Sequence, residues 1–178
     1  MKRNRNIGSI LLIAAGLLLI AAALYELIPA LLAYKRADDT YEALRETYVT
    51  GQPGTSSDDP AEEGEELPAW YEALQVDFET LKEANPDVIG WIYFDNNYPI
   101  LYSGDDETYL HTDLYGNASK SGCIFMEGNN VPDFNDCHTI LYGHNMKNGS
   151  MFGSLKQYKN DGFYEKNAYF TVVTEDAA

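Results

Sequence analysis

Cysteine, histidine and positive charge are all scarce in this 178-residue chain. It has two cysteines, Cys123 and Cys137, and three scattered histidines, His111, His138 and His144, with no Cys-x-x-Cys pair. A structural zinc site needs about four thiolate or imidazole ligands at close spacing, so none is expected. The acidic loops offer no ordered ligand spacing for calcium, and no cofactor is implied. Lysine and arginine total 12 against 28 aspartates and glutamates, a net charge of -16. Such a surface repels phosphates, which excludes nucleic acid as a partner and suits a soluble exported domain.

Charge is missing altogether between residues 7 and 25, where leucine, isoleucine and alanine dominate. A helix of about 20 apolar residues spans the hydrocarbon core of a bilayer. Lys2, Arg3 and Arg5 precede the run, and the positive-inside tendency then leaves the short tail in the cytoplasm and the rest outside. The expected organisation is a cytoplasmic tail over residues 1–6 and a single transmembrane anchor over 7–28. The competing reading is a cleaved signal peptide, with Ala21-Ala22-Ala23 as the peptidase site, but the apolar run exceeds the usual signal core.

Beyond the anchor, Tyr41, Leu44 and Tyr48 recur at helical spacing, which predicts a juxtamembrane helix within residues 29–50. Residues 51–67 are glycine, proline, serine and acid, too polar to offset their ordering entropy, and read as a flexible linker. The folded part is expected over residues 68–178. Trp70, Leu74, Phe78 and Leu81 predict one face of a helix that stops at Asn85-Pro86. Residues 88–94, 99–102, 122–126, 138–142 and 169–173 have strand character. A short helix is expected at 105–111, capped by Ser103 or Asp105, and another at 150–158 with Met151, Leu155 and Tyr158 inward. Several short strands separated by turns point to a barrel or sandwich.

Within that frame, the chemistry concentrates in Tyr142-Gly143-His144-Asn145-Met146, where an apolar strand ends in glycine and delivers a histidine to its mouth. A histidine there can carry protons near neutral pH, although a turn histidine making only local hydrogen bonds fits the same pattern. Upstream, in order, stand Asn85-Pro86-Asp87-Val88-Ile89-Gly90-Trp91, Tyr98-Pro99-Ile100, Tyr109-Leu110, Asp113-Leu114-Tyr115-Gly116-Asn117 and Gly122-Cys123-Ile124-Phe125-Met126. Taken together, these blocks resemble the class B sortases, membrane-anchored cysteine transpeptidases of Gram-positive bacteria.

The resemblance covers about residues 68–174 and implies a mainly β fold, the sortase-like closed β-barrel, with N-terminal helices and a transmembrane helix. His144 matches the family's catalytic histidine, and Leu110 and Tyr142 match positions lining the groove for the sorting-signal peptide. The implied partners are the membrane, the sorting-motif peptide of surface or pilin-like proteins, and an amine of the cell-wall precursor or peptidoglycan. In such enzymes a cysteine attacks the peptide carbonyl and forms a thioacyl intermediate, and the amine resolves it. The histidine passes protons and an arginine stabilises charge.

The sequence departs from the family where that cysteine belongs. Its Thr-Leu-x-Thr-Cys strand and the following arginine strand are expected after Val173, and neither is present. The expectation is therefore a barrel cut before the nucleophile strand and inactive as it stands. The alternatives are an exported peptide-binding remnant that does not cut, or an accidentally ended reading frame. Neither cysteine is expected to substitute. Cys137 begins the strand that His144 ends, roughly 23 Å away at strand rise. If residues 122–126 and 138–142 pair as an antiparallel hairpin, Cys123 lies beside the His144 end, as a buried packing residue. His111 and His138 read as surface or packing residues.

Overall fold

The apolar run forms the first half of helix α1 (Asn4–Tyr48), 45 residues long with Pro29 inside it. A computed structural model of the chain describes residues 4–50, 74–94 and 96–175. The chain divides into two compact units, Met1–Arg36 and Ala37–Ala178. In the first unit Leu11, Leu12, Leu18 and Leu19 are each more than 60% exposed. By length and composition this one helix can cross a membrane.

The second unit contains the last turns of α1. Tyr41 and Leu44 there are buried, so the compact unit around the sheet starts at Ala37. Two-residue strands β1 (Val49–Thr50) and β2 (Gln75–Val76) pair antiparallel. The expected linker at 51–67 lies outside the described residues, as do residues 68–73 of the expected helix. That helix begins only at Phe78, as α2 (Phe78–Ala84). Asp77 decides the start, because its carboxylate accepts from the Thr80 amide at 3.0 Å and satisfies a first-turn donor. Phe78 and Leu81 form its buried face, whereas Leu74, also buried, precedes the helix.

A five-stranded sheet follows. β3 (Val88–Tyr93) and β4 (Asn97–Leu101) form the central antiparallel pair, with Trp91 opposite Pro99. β5 (Ile124–Met126) runs parallel to β4, with Ile100 opposite Ile124. The parallel step is made possible by the crossover through the short helix α3 (Thr108–His111). β6 (Leu141–Tyr142) is antiparallel to β5, and β7 (Thr171–Val173) is antiparallel to β3. The order is β6-β5-β4-β3-β7. Trp91, Tyr98, Ile100, Phe125, Met126 and Met151 fill the core beneath it.

Three expectations are corrected here. No closed barrel is found: among the described residues the sheet is open, with β6 and β7 as its edges. Nor is the chain mainly β, since α1 alone has more residues than all the strands, which are two to six residues long. The strand expected at 138–142 shrinks to Leu141–Tyr142. Asn130 takes the place of a ladder partner there, donating to the His138 carbonyl at 2.7 Å and accepting from the Ile140 amide at 2.9 Å. The helix expected at 150–158 is a 3₁₀-helix, Phe152–Lys159. Its three-residue period buries Ser154, next to the expected Met151, leaves Leu155 40% exposed and leaves Gln157 and Tyr158 half-buried. A four-residue helix, α4 (Phe163–Lys166), precedes β7.

Candidate functional site

His144 leaves the end of β6 through Gly143, whose missing side chain makes room for Ile124 and Phe152. Its carbonyl accepts from the Phe152 amide at 3.1 Å, and Asn145 bridges to Met151, so the loop closes back on itself. The imidazole is half-buried, and its Nε2 lies 2.9 Å from the Leu110 carbonyl at the end of α3. A carbonyl only accepts, so that contact places a proton on Nε2 and leaves Nδ1 as the atom that can take one up. This geometry suits a general acid–base group held by one fixed hydrogen bond.

The structure thus brings together two of the three expected site residues, Leu110 and His144, through a main-chain atom of Leu110. Tyr142 is two residues before His144. Its hydroxyl donates to Glu127 at 3.2 Å, and its ring tilts against Phe125 at 5.5 Å between centroids. Desolvation and the Glu127 carboxylate both hold that hydroxyl above its ordinary range. Sequence reasoning missed Glu127 and read His111 only as a surface or packing residue. Glu127 anchors Tyr142 across the β5–β6 pair, and the exposed His111 ring sits 6.4 Å from that of His144. The only sequence signal for His111 is its place next to Leu110.

The two thiols have opposite surroundings, Cys123 buried and Cys137 exposed, and both are free. Extending the β5–β6 register, in which Phe125 faces Tyr142, sets Cys123 level with His144. Its thiol nevertheless donates to the Thr112 carbonyl at 3.3 Å and receives the Tyr41 hydroxyl at 3.5 Å. Burial pushes the thiol up to about 12, with the Tyr41 hydrogen bond only partly opposing. A nucleophilic cysteine needs its thiolate, so Cys123 is unsuited to attack. Among the described residues, no group of three or more histidine, cysteine, aspartate or glutamate side chains is placed to hold a metal.

Thiol labelling follows from this contrast. Against an ordinary thiol near 9, a group at about 12 has about a thousandfold less thiolate at pH 8. Iodoacetamide is therefore expected to label Cys137 first and leave Cys123 unmodified until the protein unfolds, as read by peptide mass spectrometry. The folded state also binds the Cys123 proton more tightly than the unfolded state does. Its contribution to stability is present below about pH 9 and lost as the pH rises towards about 12. Equal labelling rates for the two cysteines in the native protein would contradict the burial of Cys123.

No protein-family model matches the sequence. Sortase B of Listeria monocytogenes is 37% identical over 94 residues, covering 51% of this chain and 38% of that protein. Sortase B of Staphylococcus aureus is 31% identical over 99 residues, covering 54% and 41%. The crystal structure of sortase B from Bacillus anthracis superposes with a TM-score of 0.62 at 30% identity, covering 81% of this chain and 63% of that one. The chain is related to the class B sortases. It spans about two fifths of the length of the curated relatives it matches.

Proposed function

We propose that this chain carries the proton-transfer and peptide-contacting part of a class B sortase-type transpeptidase centre. In this reading residues 7–28 anchor it in the membrane, and the sortase-like domain faces outward. The observation that carries the proposal is the His144 Nε2 contact to the Leu110 carbonyl, which fixes the imidazole and frees Nδ1. Tyr142 and Leu110 would flank a sorting-signal peptide from a surface or pilin-like protein. A thiolate would attack its carbonyl, the bond to the leaving amine would break as His144 delivers a proton, and a cell-wall amine would resolve the thioacyl group. That thiolate is neither Cys123, buried and held protonated, nor Cys137, which stands in the loop before β6. A second reading is that the domain binds the peptide and does not cut it.

One experiment separates the two. The 178-residue chain in detergent micelles is incubated with a class B sorting-signal peptide and an amine acceptor, with and without a segment carrying Thr-Leu-x-Thr-Cys from a sortase relative. No product is expected from the chain alone. Product is expected once the segment is supplied, and His144→Ala should lower that turnover by about a hundredfold or more. Turnover unchanged by His144→Ala would refute the proton-transfer role. Saturable peptide binding, weakened by Tyr142→Ala and never accompanied by product, would establish the binding module instead.

A further inference from the structure

A cleft of about 440 Å³ opens between the last turns of α1 and the loop that follows His144. It lies wholly within the second unit and shares no residue with the His144–Leu110 pair. Its floor is made of Tyr41 and Tyr98, edge to face at 5.2 Å, and of Ser154. Arg45 reaches into it, with its guanidinium carbon 5.4 Å above the Tyr98 ring and its Nε donating to the Asn97 carbonyl at 3.2 Å. Two features call for a ligand. Ser154 is only 4% exposed, and its Oγ has no hydrogen-bond partner among the described residues. A buried hydroxyl without a partner is costly, and a binding site is one reason to keep it. Arg45, half-buried, makes no ion pair among the described residues.

The rim has the opposite charge. Asp38 and Glu42, one helical turn apart on α1, are exposed at the mouth, where Asn148 donates to both Asp38 oxygens at 3.2 and 3.0 Å. We infer that this cleft binds a zwitterion of amino-acid or dipeptide size, its carboxylate on Arg45 and Ser154 and its ammonium between Asp38 and Glu42. A planar guanidinium and a hydroxyl lining one cleft suit a carboxylate, and the volume admits a molecule of that size. An ammonium at the rim meets acids that remain hydrated, so the buried end supplies most of the affinity.

The test titrates diglycine into the full chain in detergent micelles and follows the amide resonances of Gly149, Ser150 and Ser154. Saturable shifts are expected. N-acetyldiglycine, which lacks the ammonium, and diglycine amide, which lacks the carboxylate, should each bind at least about threefold more weakly, the amide more so. Ser154→Ala should weaken diglycine by about tenfold without lowering the thermal midpoint, because it removes an unpartnered hydroxyl. The exposed Glu42→Gln, which leaves the fold intact, should weaken diglycine and leave N-acetyldiglycine unaffected. Shifts that do not saturate, or equal binding of all three probes to both variants and the parent, would overturn the inference.

Discussion

Gly122→Ala is expected to destabilise the sortase-like domain by about 3 kcal/mol or more. Gly122 sits at φ +54, in the left-handed region where a side chain costs about 1–2 kcal/mol. A Cβ there would also stand 2.5 Å from the Tyr109 carbonyl oxygen and 2.6 Å from that of Leu110. Both obstacles are main-chain atoms, so no side-chain rotation relieves them. α3 would have to move away from β5, to which it is tied by the Cys123 amide donating to the Tyr109 carbonyl at 2.9 Å. The Leu110 carbonyl is also the partner of His144, so relief of the clash disturbs the site. Urea denaturation should show the lost stability, and the His144 imidazole resonances should shift in whatever folded protein remains. A midpoint within the error of the parent would mean that α3 and β5 do not approach as closely as described.

Tyr41→Ala should cost about 3–5 kcal/mol, the usual range for emptying a large aromatic from a core. Tyr41 is 3% exposed, packs edge-on to Tyr98 and donates its hydroxyl to the Gly122 carbonyl at 2.6 Å. Desolvation raises that hydroxyl well above its ordinary range, so it remains a donor throughout the physiological range. Tyr41→Phe keeps the ring and leaves the Gly122 carbonyl without this donor, for a loss of about 1–3 kcal/mol. The two variants therefore divide packing from hydrogen bonding. If neither moves the denaturation midpoint, the last turns of α1 contribute nothing to the core and the compact unit does not begin at Ala37.

Much of this architecture was legible in local spacing. Tyr41 and Leu44 at helical spacing, the apolar run of β3 and the Asn85-Pro86 stop all report their own conformation, because each signal lies within one or two turns of chain. Asp105 does accept from the Thr108 amide at 2.7 Å, but the residue that precedes α3 as its cap is Glu107, whose side chain makes no capping bond, so neither Ser103 nor Asp105 is the cap. Ser150 to Tyr158 was misread for the same local reason: the apolar residues fit a 3.6-residue period, but the chain took a 3₁₀ period with Ser154 inward.

By itself the sequence determined the apolar helix, the existence and order of most core strands, the ordered blocks shared with class B sortases, and His144 as the residue to watch. Only the tertiary structure decided what His144 touches, since Leu110 lies 34 positions away and offers its main chain, which no side-chain pattern announces. It alone placed Tyr41 against Gly122, 81 residues on, and thereby put Cys123 in a buried environment that keeps its thiol protonated. The physical reason is that conformational preference is a property of neighbouring residues, whereas burial and hydrogen-bond partners depend on which distant surfaces meet.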